Sequence, residues 1–219
     1  MFNDTYGLTR AVLDGQKTMT RRLVMQPPYD EYDLELPVPF PAFEESNPLW
    51  GTFRWVNKHN DCEHTDWIPP KWRLGEEVAI AQSYKDAGFK DTDIVYMDEY
   101  LNETNAGSVP GWSNKMFVRA DLMPHRIRIT DIKLQSLHDI SEDDCLKEGV
   151  IEERNMIGGT EIKKYHPTLQ HVKSMKKIGW GIVYDTPKDA FAVLIDKVSG
   201  EGTWKKNPWV FVYEFELIK

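Results

Sequence analysis

Apolar and polar residues alternate in several stretches of the chain, a period of two that is typical of β-strands with one buried face. The strands predicted from this alternation are at about 76–83, 115–120, 125–134 and 208–218. In the third strand, Ile127 and Ile129 share a face but Ile132 is out of phase, which predicts a β-bulge near Asp131. The last strand begins with the unbroken apolar run 209–213, so we expect its start to be central in a sheet.

Other stretches have the spacing of helices, which we predict at about 4–14, 141–148 and 187–199. The third helix is the best delimited, because Thr186 is a suitable N-cap, Pro187 a suitable first residue and Gly200 a suitable stop. Its apolar residues recur at helical spacing, so we interpret the helix as core packing and not as part of a site. These apolar residues are Phe191, Leu194, Ile195 and Val198.

Composition indicates one cytoplasmic domain. The 219 residues are 41% hydrophobic and 12% aromatic, which is enough for a sizeable core. No apolar run approaches the roughly 20 residues of a membrane span, and two cysteines are too few for a disulfide framework. The net charge is −8, but residues 30–66 hold nine acidic and two basic groups and so account for −7 of it. A basic pocket elsewhere in the chain is therefore compatible with the acidic total.

The segment 14–22 carries the most informative chemistry, because it places an amine, two hydroxyls and two guanidiniums just after a predicted helix end at Gly15. Such groups suit a phosphate, a carbonyl or a nucleobase. In an extended strand, Lys17 and Arg21 would share one face and Thr20 and Arg22 the other. The alternative interpretation is a solvated basic turn.

Glu148 is the second candidate. Ser141 is a suitable N-cap and Gly149 a suitable C-cap, so Glu148 is predicted to end the helix. The negative end of the helix dipole disfavours a carboxylate there by about 0.3–1 kcal/mol. Desolvation of the same group would raise its pKa and keep a proton for general-acid catalysis. The alternative is a helix-compatible glutamate in solvent.

Separated segments of the chain resemble the ASCH-domain proteins of the PUA-like superfamily, in particular a larger form often encoded by phages and prophages. The resemblance implies an α+β fold: a PUA-like curved, mostly antiparallel β-barrel with flanking helices and inserted loops. It also implies a single domain over 1–219, with insertions at 30–66 and 151–180 and a small hairpin over 50–55 in the first. The resembling segments are 11–22, 74–80, 123–132, 137–149 and 204–216.

One small bacterial branch of that family hydrolyses the amide of N4-acetylcytidine. Its catalytic lysine, threonine and glutamate fall on Lys17, Thr20 and Glu148 of this chain, and its arginine falls on Arg22. In that assignment the lysine activates the threonine, the threonine attacks the acyl carbon and the glutamate protonates the departing amine. The resemblance thus implies an amidohydrolase of a modified nucleoside.

The expected partner is a nucleoside or a single-stranded nucleic acid, RNA rather than DNA, in a pocket formed by 17–22, 76–83 and Glu148. We expect no metal or cofactor, because His59, Cys62 and His64 lack a fourth zinc ligand at a recognisable spacing. The alternative function is a noncatalytic RNA- or DNA-binding module of phage or prophage origin, in which some of the eight tryptophans stack on bases. The expected substrate-binding residues are Thr18, Arg21, Arg22, Arg126 and Arg128.

Overall fold

A computed structural model describes residues 2–27, 30–36, 51–90, 110–178 and 181–218. The protein has a mixed α+β fold built on a curled, four-stranded antiparallel sheet, as the α+β prediction requires. The sheet has the strand order β1-β9-β6-β5. Its strands are β1 (Met19–Leu23), β5 (Glu77–Ala79), β6 (Arg126–Ser136) and β9 (Trp209–Ile218).

Strand β9 is central, as its apolar start predicts, because it pairs with β1 on one side and with β6 on the other. Thr20 lies opposite Tyr213 in the first pairing. The register of the second pairing shifts between Ile129 and Asp131, which confirms the predicted bulge. β1 and β5 are at opposite edges of this sheet.

The helices are α1 (Leu8–Leu13), α2 (Glu142–Lys147), α3 (Leu169–Ile178), α4 (Pro187–Ser199) and α5 (Thr203–Lys206). The boundaries of α4 and its Thr186 cap are confirmed, since the Thr186 side chain accepts a hydrogen bond from the Asp189 N–H. Gly15 ends the first helical segment with φ +72°, in the left-handed conformation predicted for it. α1 is shorter than predicted, because turns occupy residues 4–7.

The strand predicted at 115–120 is wrong. Residues 111–117 form turns and bends, and a short 3₁₀ helix follows at Ala120–Leu122. The Asn114 side chain accepts a hydrogen bond from the Met116 N–H, which favours a turn over a strand. Met116 and Phe117 produced the apolar signal, yet they are 73% and 64% exposed.

Residues within 30–66 form a second sheet of three strands, β2 (Tyr32–Glu35), β3 (Arg54–Asn57) and β4 (Asn60–His64). The hairpin predicted over 50–55 therefore lies later in the chain, where β3 and β4 pair with each other. Trp50 is outside the described residues. Phe53 and Trp55 are fully buried and pack against Phe211 and Trp209 of β9.

The segment 151–180 contains a second hairpin, formed by β7 (Ile151–Ile157) and β8 (Thr160–His166), followed by α3. Its far end is exposed, since Met156 and Ile157 are largely in solvent. No helix among the described residues combines the length and the apolar character that crossing a membrane would require.

Candidate functional site

A cavity of about 820 Å³ lies beside edge strand β1, between the end of α2 and one face of α4. This volume is in the range of pockets that enclose a small organic ligand, roughly 300–1,000 Å³. One wall is polar and charged, and the opposite wall is apolar. The polar wall consists of Lys17, Thr20, Arg21, Arg22 and Glu148.

Lys17 and Glu148, which are 131 positions apart in sequence, form a buried ion pair at this wall. The Lys17 Nζ donates to Glu148 Oε2 at 2.6 Å and to the Glu148 backbone carbonyl at 2.8 Å. Their side chains are 2% and 6% exposed. Such a pair needs further hydrogen bonds to offset the cost of removing both charges from water.

Local structure explains why the two groups meet. The Ser141 side chain caps α2 by accepting a hydrogen bond from the Asp144 N–H, and Glu148 is the C-cap residue. Gly149 then adopts φ +104°, a conformation that favours glycine, and the helix ends. The Thr18 N–H donates to the Lys147 carbonyl at 2.9 Å, which fixes the start of β1 against this helix end.

Arg21 holds the other oxygen of Glu148. One terminal nitrogen donates to Glu148 Oε1 at 3.1 Å, and the second donates to Asp144 Oδ2 at 3.0 Å. The guanidinium also lies 5.9 Å from the centre of the Phe191 ring. Arg21 therefore orients Glu148 from the side opposite Lys17.

Thr20 lines the same wall and is buried in the fold. Among the described residues, its side chain has no hydrogen-bond partner, although it lines the cavity. A polar group with this placement is suited to contact a ligand.

Burial lowers the pKa of Lys17 below its ordinary value of 10.5, and the attraction of Glu148 opposes this effect only in part. Arg21 and Arg22 lower the pKa of Lys17 further through charge repulsion. The neutral amine, which can accept a proton, is therefore easier to form here than on a solvated lysine.

The apolar wall comes from α4 and α1. Four of its residues are the apolar positions of α4 (Phe191, Leu194, Ile195, Val198), and Leu8 adds to them. The interpretation of α4 as core packing is confirmed, since Phe191, Leu194 and Ile195 belong to the hydrophobic core. The same residues also line the cavity, so α4 borders both. Sequence periodicity does not distinguish the two surroundings.

Two segments form the rim of the cavity, residues 2–5 and 113–116. Lys115 joins them: its amine donates to the Phe2 carbonyl, and it pairs with Asp4 Oδ1 at 2.8 Å. The lining thus contains four cationic side chains and two carboxylates, Asp4 and Glu148, so its formal charge is +2.

The structure brings five of the eight predicted site residues to the cavity and leaves three outside it. Thr18 lies at the entry to β1 but does not line the cavity. Arg126 and Arg128 are on β6, beyond β9, where Arg128 pairs with Glu77 and Glu216. Strand β5, expected to line the pocket, is at the far edge of the sheet and does not line it.

Sequence reasoning missed Asp144, Lys115 and the apolar wall. Asp144 donates its N–H to the Ser141 cap, and its carboxylate also accepts a hydrogen bond from Arg21, which is 123 positions away. The Lys115 contacts depend on tertiary structure, since its partners Phe2 and Asp4 are more than a hundred positions away. Comparisons with protein-family models, with curated proteins and with solved structures return no match for this chain.

Proposed function

We propose that the protein is a PUA-like domain of the ASCH type that binds a nucleoside in this cavity and hydrolyses the amide of an N4-acylated cytidine. The observation that carries the proposal is the buried contact of Lys17 with Glu148 on the cavity wall that Thr20 also lines. A base, an acid and a nucleophile are the three groups that cleavage of an amide by covalent catalysis needs.

The Lys17–Glu148 contact can supply base and acid together. Transfer of one proton across the 2.6 Å contact gives a neutral amine on Lys17 and a protonated carboxyl on Glu148. Burial lowers the pKa of Lys17 and so favours this neutral form of the lysine.

The reaction then proceeds in two steps. The Lys17 amine removes the proton of the Thr20 hydroxyl, and the oxygen attacks the acyl carbon. The C–N4 bond breaks as Glu148 protonates the nitrogen, which releases cytidine and leaves an acyl ester on Thr20. Water then attacks that ester and gives one proton to the Glu148 carboxylate, while the Lys17 ammonium protonates the departing Thr20 oxygen. This releases the carboxylic acid and restores the starting forms of all three groups.

The remaining walls suit the nucleoside. An apolar wall of α4 residues, with Phe191 at its centre, offers a surface for a base or an acyl group. Arg22, stacked 5.7 Å from the Trp72 ring centre, adds a positive charge for developing negative charge or a phosphate.

A noncatalytic nucleoside- or nucleic-acid-binding module is the second candidate, and one observation favours it. Both carboxylate oxygens of Glu148 already accept hydrogen bonds from cations, an arrangement that also serves to hold a rigid pocket. In such a module, the same cavity would bind cytidine derivatives and leave them unchanged.

Release of acetate from N4-acetylcytidine distinguishes the hydrolase from the noncatalytic binding module. Thr20→Val keeps the shape of the side chain but removes the nucleophile, so acetate release should fall to the uncatalysed rate. Thr20→Ser restores a hydroxyl and should retain measurable turnover. A wild-type protein that binds N4-acetylcytidine and releases no acetate would eliminate the hydrolase and leave the binding module.

A further inference from the structure

A second cavity, of about 260 Å³, adjoins the first. Thr5 and Leu194 line both, so the two cavities are neighbours on this face of the protein. The second cavity is smaller than the roughly 300–1,000 Å³ of pockets that enclose a whole small ligand. It therefore suits one part of a longer ligand whose other part occupies the main cavity.

The walls of the second cavity carry hydrogen-bonding groups and a cation. Gln170, His171 and Ser174 of α3 form one side, and Lys197 of α4 lies on the other. These groups recognise sugar hydroxyls, base edges and phosphate oxygens.

Helix α3 also carries a stripe of lysines beside this cavity. Lys173, Lys176 and Lys177 are spaced i, i+3 and i+4, so they lie on one face of the helix, and all three are exposed. In the described part of the chain, no carboxylate is within ion-pair distance of any of them. An unneutralised basic stripe in a protein of net charge −8 indicates an anionic partner.

We propose that α3 and the second cavity bind the strand that flanks the reacting nucleotide, so that the substrate is a base within single-stranded nucleic acid and not only a free nucleoside. This inference rests on the proposed function, because the main cavity must receive the base. The three lysines contact successive phosphates, and the second cavity holds part of the neighbouring nucleotide.

An anionic membrane is the other surface that lysines beside exposed apolar residues can bind, and Ile178 and Ile182 are exposed near α3. The polar groups of the second cavity favour the nucleic acid, since a lipid surface gives no role to Gln170, His171 and Ser174. The position of the second cavity next to the first also favours a ligand that extends from one to the other.

Binding of a fluorescent, single-stranded oligocytidine RNA tests the inference, with DNA of the same sequence as a second probe. The variant Lys173→Gln/Lys176→Gln/Lys177→Gln should bind the oligonucleotides at least about tenfold more weakly at low salt. Its plot of log affinity against log salt should be shallower by about 2, or about 0.7 for each lost phosphate contact. The control Lys85→Gln/Lys205→Gln/Lys206→Gln removes three exposed charges that line neither cavity.

Equal losses in the two triple variants, or no oligonucleotide binding by the wild type at low salt, would overturn the inference. Lysine-dependent binding to phosphatidylserine vesicles without oligonucleotide binding would assign the surface to a membrane instead. Acetate release from the free nucleoside is measured in parallel. If the wild type shows none but the α3 variant still loses oligonucleotide affinity, the hydrolase fails and the binding surface stands.

Discussion

Lys17 is a cation with almost no contact with solvent, and the ion pair with Glu148 is what stabilises its charge. Replacing Lys17 with Met leaves the buried carboxylate with Arg21 as its remaining cationic partner among the residues described. Removal of one member of a buried pair is strongly destabilising, so we expect Lys17→Met to lower the free energy of unfolding by about 3 kcal/mol. Urea unfolding measures this change.

Lys133→Met is the matched control, since it removes a lysine that also pairs with carboxylates but is 53% exposed. Exposed pairs contribute between zero and about 1 kcal/mol, so the control should stay close to the wild type. Equal shifts of the urea midpoint in the two variants would show that the Lys17 pair is not buried as described.

The pKa of Lys17 gives a pH prediction with a definite sign. The folded protein binds the Lys17 proton less tightly than the unfolded chain, because burial disfavours the ammonium. Between the lowered value and 10.5, the contribution of Lys17 to stability therefore rises with pH. In the proposed mechanism Lys17 and Glu148 share one proton, so kcat/KM for N4-acetylcytidine should not change with pH below the lowered pKa of Lys17. It should fall above that pKa, and so below 10.5, because the shared proton is then lost.

The rate without protein must be subtracted at each pH, because alkali cleaves the amide directly. A profile that rises with pH would remove the proton shared by Lys17 and Glu148 from the reaction. A fall that begins only above 10.5 would contradict the lowered pKa of Lys17.

The two cysteines should differ sharply in reactivity. Cys62 is exposed, whereas Cys145 is buried behind the site and burial raises the pKa of its thiol to about 12. The thiolate is the reactive form, so a thiol reagent at neutral pH should modify one cysteine in the native protein and both in denaturant. Modification of both at equal rates in the native state would contradict the packing around α2.

The N-cap of α2 determines where Glu148, at the other end of this helix, lies. The Ser141 hydroxyl accepts a hydrogen bond from the Asp144 N–H at 3.0 Å, and α2 has only six residues, so loss of the cap affects the whole helix. Ser141→Ala should lower the free energy of unfolding by about 1 kcal/mol, while Ser141→Asp should stay near the wild type because aspartate also caps.

Ser141→Ala should also weaken binding of N4-acetylcytidine. The two carboxylates that contact Arg21 are Asp144, which is in α2, and Glu148, which is its C-cap. Thermal unfolding and nucleoside titration of the two variants measure these effects. A Ser141→Ala protein with unchanged stability would show that tertiary contacts alone hold α2 in place.

Elements with strong capping or long apolar patterns could be predicted from the sequence. The helix Pro187–Ser199 and the strands Arg126–Ser136 and Trp209–Ile218 follow their predicted ranges closely. β4 could not be predicted, because all five of its residues are exposed and no alternation marks it. The error at 115–120 has the opposite cause, since apolar Met116 and Phe117 remain in solvent.

The residues of the candidate site also fall into two groups, those that the sequence predicts and those that it does not. The segment 14–22 and Glu148 stand out because of their residue types at predicted helix ends, where geometry follows from local rules. The assignment of Lys17, Thr20 and Glu148 as a catalytic set rests on the resemblance to ASCH-domain proteins. The contacts of Asp144 with Arg21 and of Lys115 with Asp4 join residues more than a hundred positions apart, and single-sequence patterns do not determine such contacts.

At the scale of the whole molecule, the segment 30–66 and the main sheet share one core. Phe53 lies 5.6 Å from Phe211 of β9, measured between ring centres, and Trp55 lies 6.1 Å from Trp209. The Trp55 indole N–H also donates to the Met25 carbonyl, just beyond β1. The second sheet therefore supports the two strands on which the candidate cavity depends.

Phe53→Ala tests this shared core. Phe53 is fully buried, so the change should lower the free energy of unfolding of the entire protein by about 3–5 kcal/mol. Urea unfolding followed by far-UV circular dichroism and by tryptophan fluorescence should give coincident transitions, both shifted to lower urea. Phe117→Ala is the control, since Phe117 is exposed and should change stability by less than about 0.5 kcal/mol. If the second sheet folded as a separate unit, Phe53→Ala would shift only part of the fluorescence signal and leave the main circular dichroism transition at the wild-type midpoint.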